Sequence, residues 1–224
     1  MPSTQTAHKR KCIPARVKNN ELVEKKRREL VNAAVGLFTR KGFHRTTTRE
    51  LAEAAGWSVG LLYEYVKSKE DVLYLVCEAI HRDMEHALRE RIGGAATGRA
   101  SLEAAIAEYM RVCDRMQDAI LLIYRETGAL DAVSRRFVLR NEERITRIFE
   151  EILRAGREDG TLRLRDGRAL RLMAHNVVVL GHMWAFRRWF LAKSYTVDEY
   201  SRQQTALILN EMTSANEGSR TWPP

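Results

Sequence analysis

The stretch TTRELAEAAGWSVGLLYEY, residues 47–65, decides the reading of this chain. Thr47, Thr48, Arg49 and Glu50 open it as a capping box, in which the Thr47 hydroxyl and the Glu50 carboxylate satisfy each other's orphan amides. A short helix runs from there to about residue 54. Gly56 can supply the left-handed turn that ends it, and Ser58 can cap a second short helix through about Tyr65. Two short helices across a tight, glycine-containing turn make a helix-turn-helix, whose second helix is shaped to enter the major groove of duplex DNA.

Working outward, Leu30, Ala34, Leu37 and Phe38 recur at helical spacing, and Arg40-Lys41 before Gly42 close a helix over about 21–41. On the other side, Ser68-Lys69-Glu70-Asp71 opens a helix whose stripe is Val72, Leu73, Val76, Ile80 and Met84. Gly93-Gly94 and Gly98 interrupt it. Helix is then expected for most of 101–127, over 131–157 and over 168–192, with the longest loop between Gly156 and Gly167. Thr196-Val197-Asp198-Glu199, another capping box, begins a last helix to about Met212. The only prolines are at positions 2, 14, 223 and 224, so 15–222 lacks the strongest helix breaker. The expectation is an all-α fold of about nine helices. Residues 1–20 read as a flexible basic arm, 21–67 as the helix-turn-helix domain, 68–213 as a larger helical domain and 214–224 as a disordered tail.

Charge divides the chain along the same line. Residues 1–70 hold 15 Lys and Arg against 7 Asp and Glu, whereas 71–224 hold 23 against 22. The first third therefore wants a polyanionic partner, and the rest something near neutral. Three scattered cysteines, Cys12, Cys77 and Cys113, offer neither a disulfide framework nor a zinc ribbon. The longest apolar run, from Val177 to Phe186, is too short to span a bilayer, and no apolar run follows Lys9-Arg10-Lys11 as a secretory signal requires. A cytoplasmic chain without membrane contact is expected.

Three blocks carry a resemblance. They are Ala33-Ala34-x-x-Leu37-Phe38-x-x-x-Gly42-Phe43-x-x-Thr46-Thr47, Leu51-Ala52-x-x-Ala55-Gly56, and Gly60-x-Leu62-Tyr63-x-Tyr65-Val66-x-Ser68-Lys69-Glu70. In order and spacing the chain resembles the TetR family of transcriptional repressors. The resemblance implies that Thr47 and Thr48 contact a phosphate and that Arg49 reaches a base edge. It also implies that Ser58, Val59, Gly60 and Leu61 face the groove, that Tyr63 and Tyr65 touch phosphates, and that Lys69 clamps the backbone. Leu62 should anchor the recognition helix in the core. Trp57 packs inward or meets a phosphate; the sequence leaves both open. So it does for the basic arm, which enters an adjacent minor groove or adds nonspecific affinity.

The same resemblance implies a homodimer reading a near-palindromic operator, paired through the last two helices, with Leu207, Leu209 and Met212 on the apolar face of the last. It implies a small-molecule effector as well. Helix 168–192 has one face with Met173, Val177, Leu180, Trp184 and Arg187, assigned to a pocket, and another with Leu172, His175, Val179, His182 and Trp189, assigned to the dimer. Tyr109, Cys113, Met116, Tyr124 and Phe137 complete the expected pocket. Each of these residues also reads as ordinary core. Trp184-x-x-Arg187-Arg188-Trp189-Phe190 is similar to members that respond to acyl-CoA thioesters; repressors of efflux pumps that bind apolar drugs are the alternative.

Other chemistries are weaker. Glu78-x-x-His81 matches the ligand unit of di-iron helical bundles, but such an enzyme needs a second copy and two more glutamates, and Asp83-x-x-His86 is an imperfect one. Cys77 and His81 make at most half a zinc site. No nucleotide-binding or nucleophile motif occurs, and neither a cofactor nor a metal is expected. A ligand-free architectural DNA binder would not need residues 68–213.

Overall fold

The structure, a computed structural model, describes residues 13–91 and 96–213. The expected tail, 214–224, and the arm up to residue 12 lie outside them. Among the described residues the elements are α1 (Asn20–Lys41), α2 (Thr48–Ala54), α3 (Val59–Tyr65), α4 (Lys69–Arg91), α5 (Gly98–Arg115), α6 (Gln117–Glu126), α7 (Ala132–Glu158), α8 (Gly167–Leu191) and α9 (Val197–Thr213). One 3-10 turn, Thr127–Ala129, joins α6 to α7. No strand occurs among the described residues, so the chain is all-α.

Two expectations are corrected. The helix expected for most of 101–127 runs as two, α5 and α6, because Met116 leaves helical geometry, at φ −106° and ψ 19°, while its amide still bonds to the Val112 carbonyl. Neither glycine nor proline marks that break. The expected flexible arm is ordered from residue 13 onward: Ile13 is buried, and the Arg16 amide donates to the Glu64 carbonyl at 2.9 Å.

The described residues form two compact units. Residues 13–83 and 118–143 make the first, and 84–91, 96–117 and 144–213 the second, so α6 and the start of α7 pack with the helix-turn-helix. In the first unit Leu30, Ala34 and Phe38 of α1, Leu51 and Ala52 of α2, and Leu62 of α3 close one small core. On α2 the adjacent Leu51 and Ala52 are buried, and on α3 Leu62 and Tyr65, three apart, point inward together; tertiary burial rather than length holds these helices of seven residues in shape. In the second unit α5 packs against both α8 and α9. Gly98 at the start of α5 lies so close to α7 that a Cβ there would stand 2.1 Å from the Gly156 Cα.

Candidate DNA interface and effector unit

Caps fix the two short helices. Thr47 accepts the Glu50 amide at 3.2 Å, and the Glu50 carboxylate accepts the Thr47 amide and hydroxyl, each at 2.9 Å. The Lys41 ammonium pairs with the same carboxylate. That ammonium first, then the Thr47 amide and hydroxyl, hold the Glu50 carboxyl down at about 2, against an ordinary 4.5. Gly56, at φ +71°, makes the turn, and the Ser58 hydroxyl accepts the Leu61 amide at 3.1 Å to start α3.

The faces of α3 then separate cleanly. Leu62 and Tyr65 are buried, while Ser58, Val59, Gly60, Leu61 and Tyr63 are exposed. Tyr65 corrects an expectation: only 4% exposed, three residues beyond Leu62 on the inner face, it packs its ring 5.5 Å from Trp57 instead of reaching out to a phosphate. Trp57 is itself buried, which settles its direction. Thr47 and Arg49 stay exposed, Thr48 half so; the Arg49 side chain is 82% exposed, with only Glu53 at 3.9 Å beside it. Gly60 is exposed, and a Cβ there would meet nothing closer than the Ser58 hydroxyl at 3.9 Å. Nothing inside the described chain requires a glycine at that place.

Lys69 also sits differently from expectation. Its ammonium donates to the carbonyls of Phe43, His44 and Thr46 at 3.0, 3.2 and 3.0 Å, and lies 4.5 Å from the centre of the Phe43 ring. Three donors are all that an ammonium has. It ties the loop between α1 and α2 to the start of α4, with no hydrogen to spare for a phosphate.

Two residues escaped the sequence reading. Arg27 on α1 donates to the Tyr65 carbonyl at the end of α3 through Nε at 3.2 Å and Nη2 at 2.9 Å, and through Nη2 to the Ile13 carbonyl at 2.6 Å. Its signal is spacing: within Lys25-Lys26-Arg27-Arg28 it alone falls four after buried Val23 and four before buried Val31. Glu126 ends α6 nearly buried, its carboxylate 2.9 Å from Arg125 Nε and 3.8 Å from the His44 ring. No local pattern marks it.

Of the expected effector residues, Tyr109, Cys113, Val177 and Trp184 are buried in the second unit. Tyr109 donates toward the Val178 carbonyl at 3.4 Å and stands 3.0 Å from His182 Nε2; Trp184 donates to Asp114 at 2.8 Å. Burial pushes the Cys113 thiol up to about 12, and that of Cys77 in the first unit likewise, so both stay protonated. Met116 and Leu180 are half-buried, and the Leu180 carbonyl accepts the Tyr200 hydroxyl at 3.1 Å. Tyr124 and Phe137 fall in the first unit, Tyr124 exposed, Phe137 edge-on to Tyr74. Arg187 is exposed, its guanidinium 5.2 Å from the Trp189 ring.

Of the expected effector residues, Met173 alone borders a groove in the second unit. This groove, of about 980 Å³, has Arg157, Arg163, Arg165 and Glu211 among its lining residues, with Leu162, Leu164, Leu172, Met173 and Met212. The expected dimer face is revised as well. Leu172, Trp189 and Leu207 are exposed, joined by Met183, Phe186 and Phe190, but His182, Leu209 and Met212 turn into the unit's own core. His182 goes inward because Tyr109 meets it there.

Among the described residues no group of three or more His, Cys, Asp or Glu stands together as metal ligands. The buried His81 places Nδ1 2.8 Å from the Cys77 carbonyl one turn back, a bond within its own helix. No described helix is long and apolar enough to cross a membrane.

A capped helix-turn-helix with an outward-facing second helix, followed by a larger helical unit, defines a DNA-binding regulator. A family model for bacterial regulatory proteins of the tetR family matches residues 30–74, and one for the tetracyclin repressor-like C-terminal domain matches 95–212. The chain belongs to the TetR family of bacterial regulatory proteins. It is similar to the HTH-type transcriptional regulator HbdR of Aromatoleum sp. (strain CIB), 29% identical over 199 residues that cover 89% of this chain and 86% of that one. The HTH-type transcriptional repressor KstR2 of Rhodococcus jostii (strain RHA1) is 28% identical over 194 residues, covering 84% and 92%. Among solved structures, the regulator FadR from Bacillus subtilis in complex with stearoyl-CoA superposes with a TM-score of 0.67 at 22% identity, covering 81% of this chain and 97% of that one. At that identity the likeness is one of fold.

Proposed function

We propose that this chain is a cytoplasmic, homodimeric transcriptional repressor that leaves its operator on binding an acyl-CoA thioester, and that it is not an enzyme. The observation that carries the DNA part is the outer face of α3. Val59, Gly60, Leu61 and Tyr63, with Arg49 beside them, are exposed although three of the four on α3 are apolar or aromatic. A solvated face has no use for that set; a major groove takes it, with apolar side chains on thymine methyls and a guanidinium on a guanine edge. In a homodimer on a near-palindrome the two α3 helices enter successive major grooves, one turn of B-DNA or about 34–36 Å apart; the exposed Leu172, Trp189 and Leu207 offer apolar surface for the pairing.

The effector class rests on chemistry. A CoA thioester joins a polyanionic nucleotide to an apolar chain, and one groove of the second unit has Arg157, Arg163 and Arg165 among its lining residues, against the single acid Glu211, together with apolar side chains. FadR from Bacillus subtilis, similar in fold, holds stearoyl-CoA. Release works through α4, whose first residue Lys69 holds the loop before α2. A shift of that helix changes the spacing of the two recognition helices. The coupling is reciprocal, typically ~1–3 kcal/mol, so operator DNA weakens effector binding by the same factor.

The test is a duplex selected by the protein from a random pool, titrated with a series of CoA thioesters and with cationic drugs. Thioesters should raise the melting temperature of the free protein and release the duplex. If the drugs do both and the thioesters neither, the effector reading is wrong and an efflux repressor stands in its place.

A further inference from the structure

We propose that the recognition helix α3 reads the 5-methyl groups of pyrimidines rather than their hydrogen-bonding edges, so that 5-methylcytosine stands in for thymine in the operator half-site and cytosine methylation there tightens binding. The proposal rests on the reading of α3 as the major-groove helix.

Its ground is the first turn of α3. Val59, Gly60 and Leu61 are all exposed there, while Leu62 and Tyr65 hold the opposite side in the core. Successive residues of a helix stand about 100° apart, so Val59 and Leu61 flank Gly60 on either side. A Cβ on Gly60 would meet nothing closer than the Ser58 hydroxyl at 3.9 Å, so the backbone between the two side chains is bare and open to close approach. Both side chains that reach past it are branched hydrocarbons, with neither donor nor acceptor.

The polar side chains near that turn are placed for other contacts. The Ser58 hydroxyl accepts the Leu61 amide at 3.1 Å as the cap of α3. Glu64, one turn beyond Gly60, is the one carboxylate on the helix and so the one group there able to accept from the amino group of cytosine. It is drawn instead to Arg16, whose guanidinium lies 3.4 Å from the carboxylate and whose amide donates to the Glu64 carbonyl at 2.9 Å. Tyr63 borders a shallow pocket with Arg16 and Lys67, cations that suit a phosphate better than a base edge. In the major groove thymine shows an O4 acceptor and a methyl group, and cytosine an amino donor. Hydrocarbon side chains make no hydrogen bond that would tell the acceptor from the donor. They register the methyl, which 5-methylcytosine carries on the same ring carbon. Each methyl taken out of water against such a side chain is worth about fourfold in affinity.

The experiment uses the duplex that the full chain selects from a random pool. Deoxyuridine, which lacks the methyl and keeps every hydrogen-bonding group of thymine, replaces each thymine in turn in both half-sites at once. Where a methyl is read, the pair of replacements should weaken binding about fifteenfold, fourfold in each half-site. At those positions 5-methylcytosine should bind more tightly than cytosine by a similar factor; the guanine opposite is the same in both, so the ratio reports the methyl alone. Val59→Ala and Leu61→Ala remove exposed side chains and should leave the melting temperature nearly unchanged. Each should abolish the deoxyuridine penalty at its own position, whereas Arg49→Ala should weaken binding and keep the penalties. Three results overturn the proposal and leave α3 in the groove as a reader of other features: a selected half-site with no thymine sensitive to deoxyuridine, 5-methylcytosine that binds no tighter than cytosine, or penalties that persist in both alanine variants, as they would if the methyl acted through the shape of the duplex. If Val59→Ala, Leu61→Ala and Arg49→Ala all bind as the wild type does, the reading of α3 falls and this one falls with it.

Discussion

The hydroxyl of Tyr109 on α5 stands 3.0 Å from Nε2 of His182 on α8, and both side chains are buried. Tyr109 reaches that place by crossing α8 at Gly181, where a Cβ would lie 2.4 Å from its ring and 2.8 Å from the Cys113 sulfur. Alanine at 181 would gain up to about 1 kcal/mol in helix propensity, but overpacking a closed core costs typically about 1–3 kcal/mol, so the clash wins. Gly181→Ala should lower the urea midpoint of unfolding. An unchanged or higher midpoint would mean that α5 and α8 are not packed this closely.

Gly60 gives the opposite sign at another helix. With no neighbour closer than 3.9 Å to its missing Cβ, Gly60→Ala should stabilise the free protein by roughly 0.4–1 kcal/mol, through helix propensity and a stiffer unfolded chain. The same methyl sits on the surface assigned to the groove. Affinity for the selected duplex should therefore fall while the melting temperature rises. Both quantities rising together would remove Gly60 from the interface.

Arg49 and Lys69 should part company in the same pair of measurements. The exposed Arg49 makes one long contact, so Arg49→Ala should leave stability within about 0.5 kcal/mol of wild type and cost roughly 1–3 kcal/mol of discrimination at one base pair. Lys69→Ala leaves three carbonyls without their donor. It should lower the melting temperature and weaken binding to all duplexes alike, because the loop that presents α2 is loosened. Normal stability with a reduced salt slope would instead identify Lys69 as a phosphate contact.

What the sequence discloses here is what is decided locally. The Thr47–Glu50 box, the Ser58 cap and the turn at Gly56 depend on residues within three positions of each other, and each is found where the spacing puts it. The break at Met116 is not local, for no breaker residue stands there. Nor is the direction of His182, because α8 carries apolar residues on most of its circumference and only a partner such as Tyr109 selects a face. Lys69 and Arg27 look like any surface cation until the carbonyls of residues more than twenty positions away are brought to them.

The capping box makes the interface sensitive to acid. Glu50 is ionised with its carboxyl held down at about 2, from an ordinary 4.5, chiefly by the Lys41 ammonium and next by Thr47. A carboxyl lowered on folding contributes stability that is fully present above about pH 5 and is lost as pH falls toward 2, since the unfolded chain takes up the proton first. Glu50→Gln removes the titration yet keeps a residue able to accept the Thr47 amide. The variant should melt lower than wild type at neutral pH, and the gap should close on acidification between about pH 5 and pH 2. The carboxylate is partly open to solvent, so added salt should narrow the gap at neutral pH as well. A gap constant across that range would show that Lys41 and Glu50 do not pair in solution, and that the hydroxyl of Thr47 caps α2 unaided.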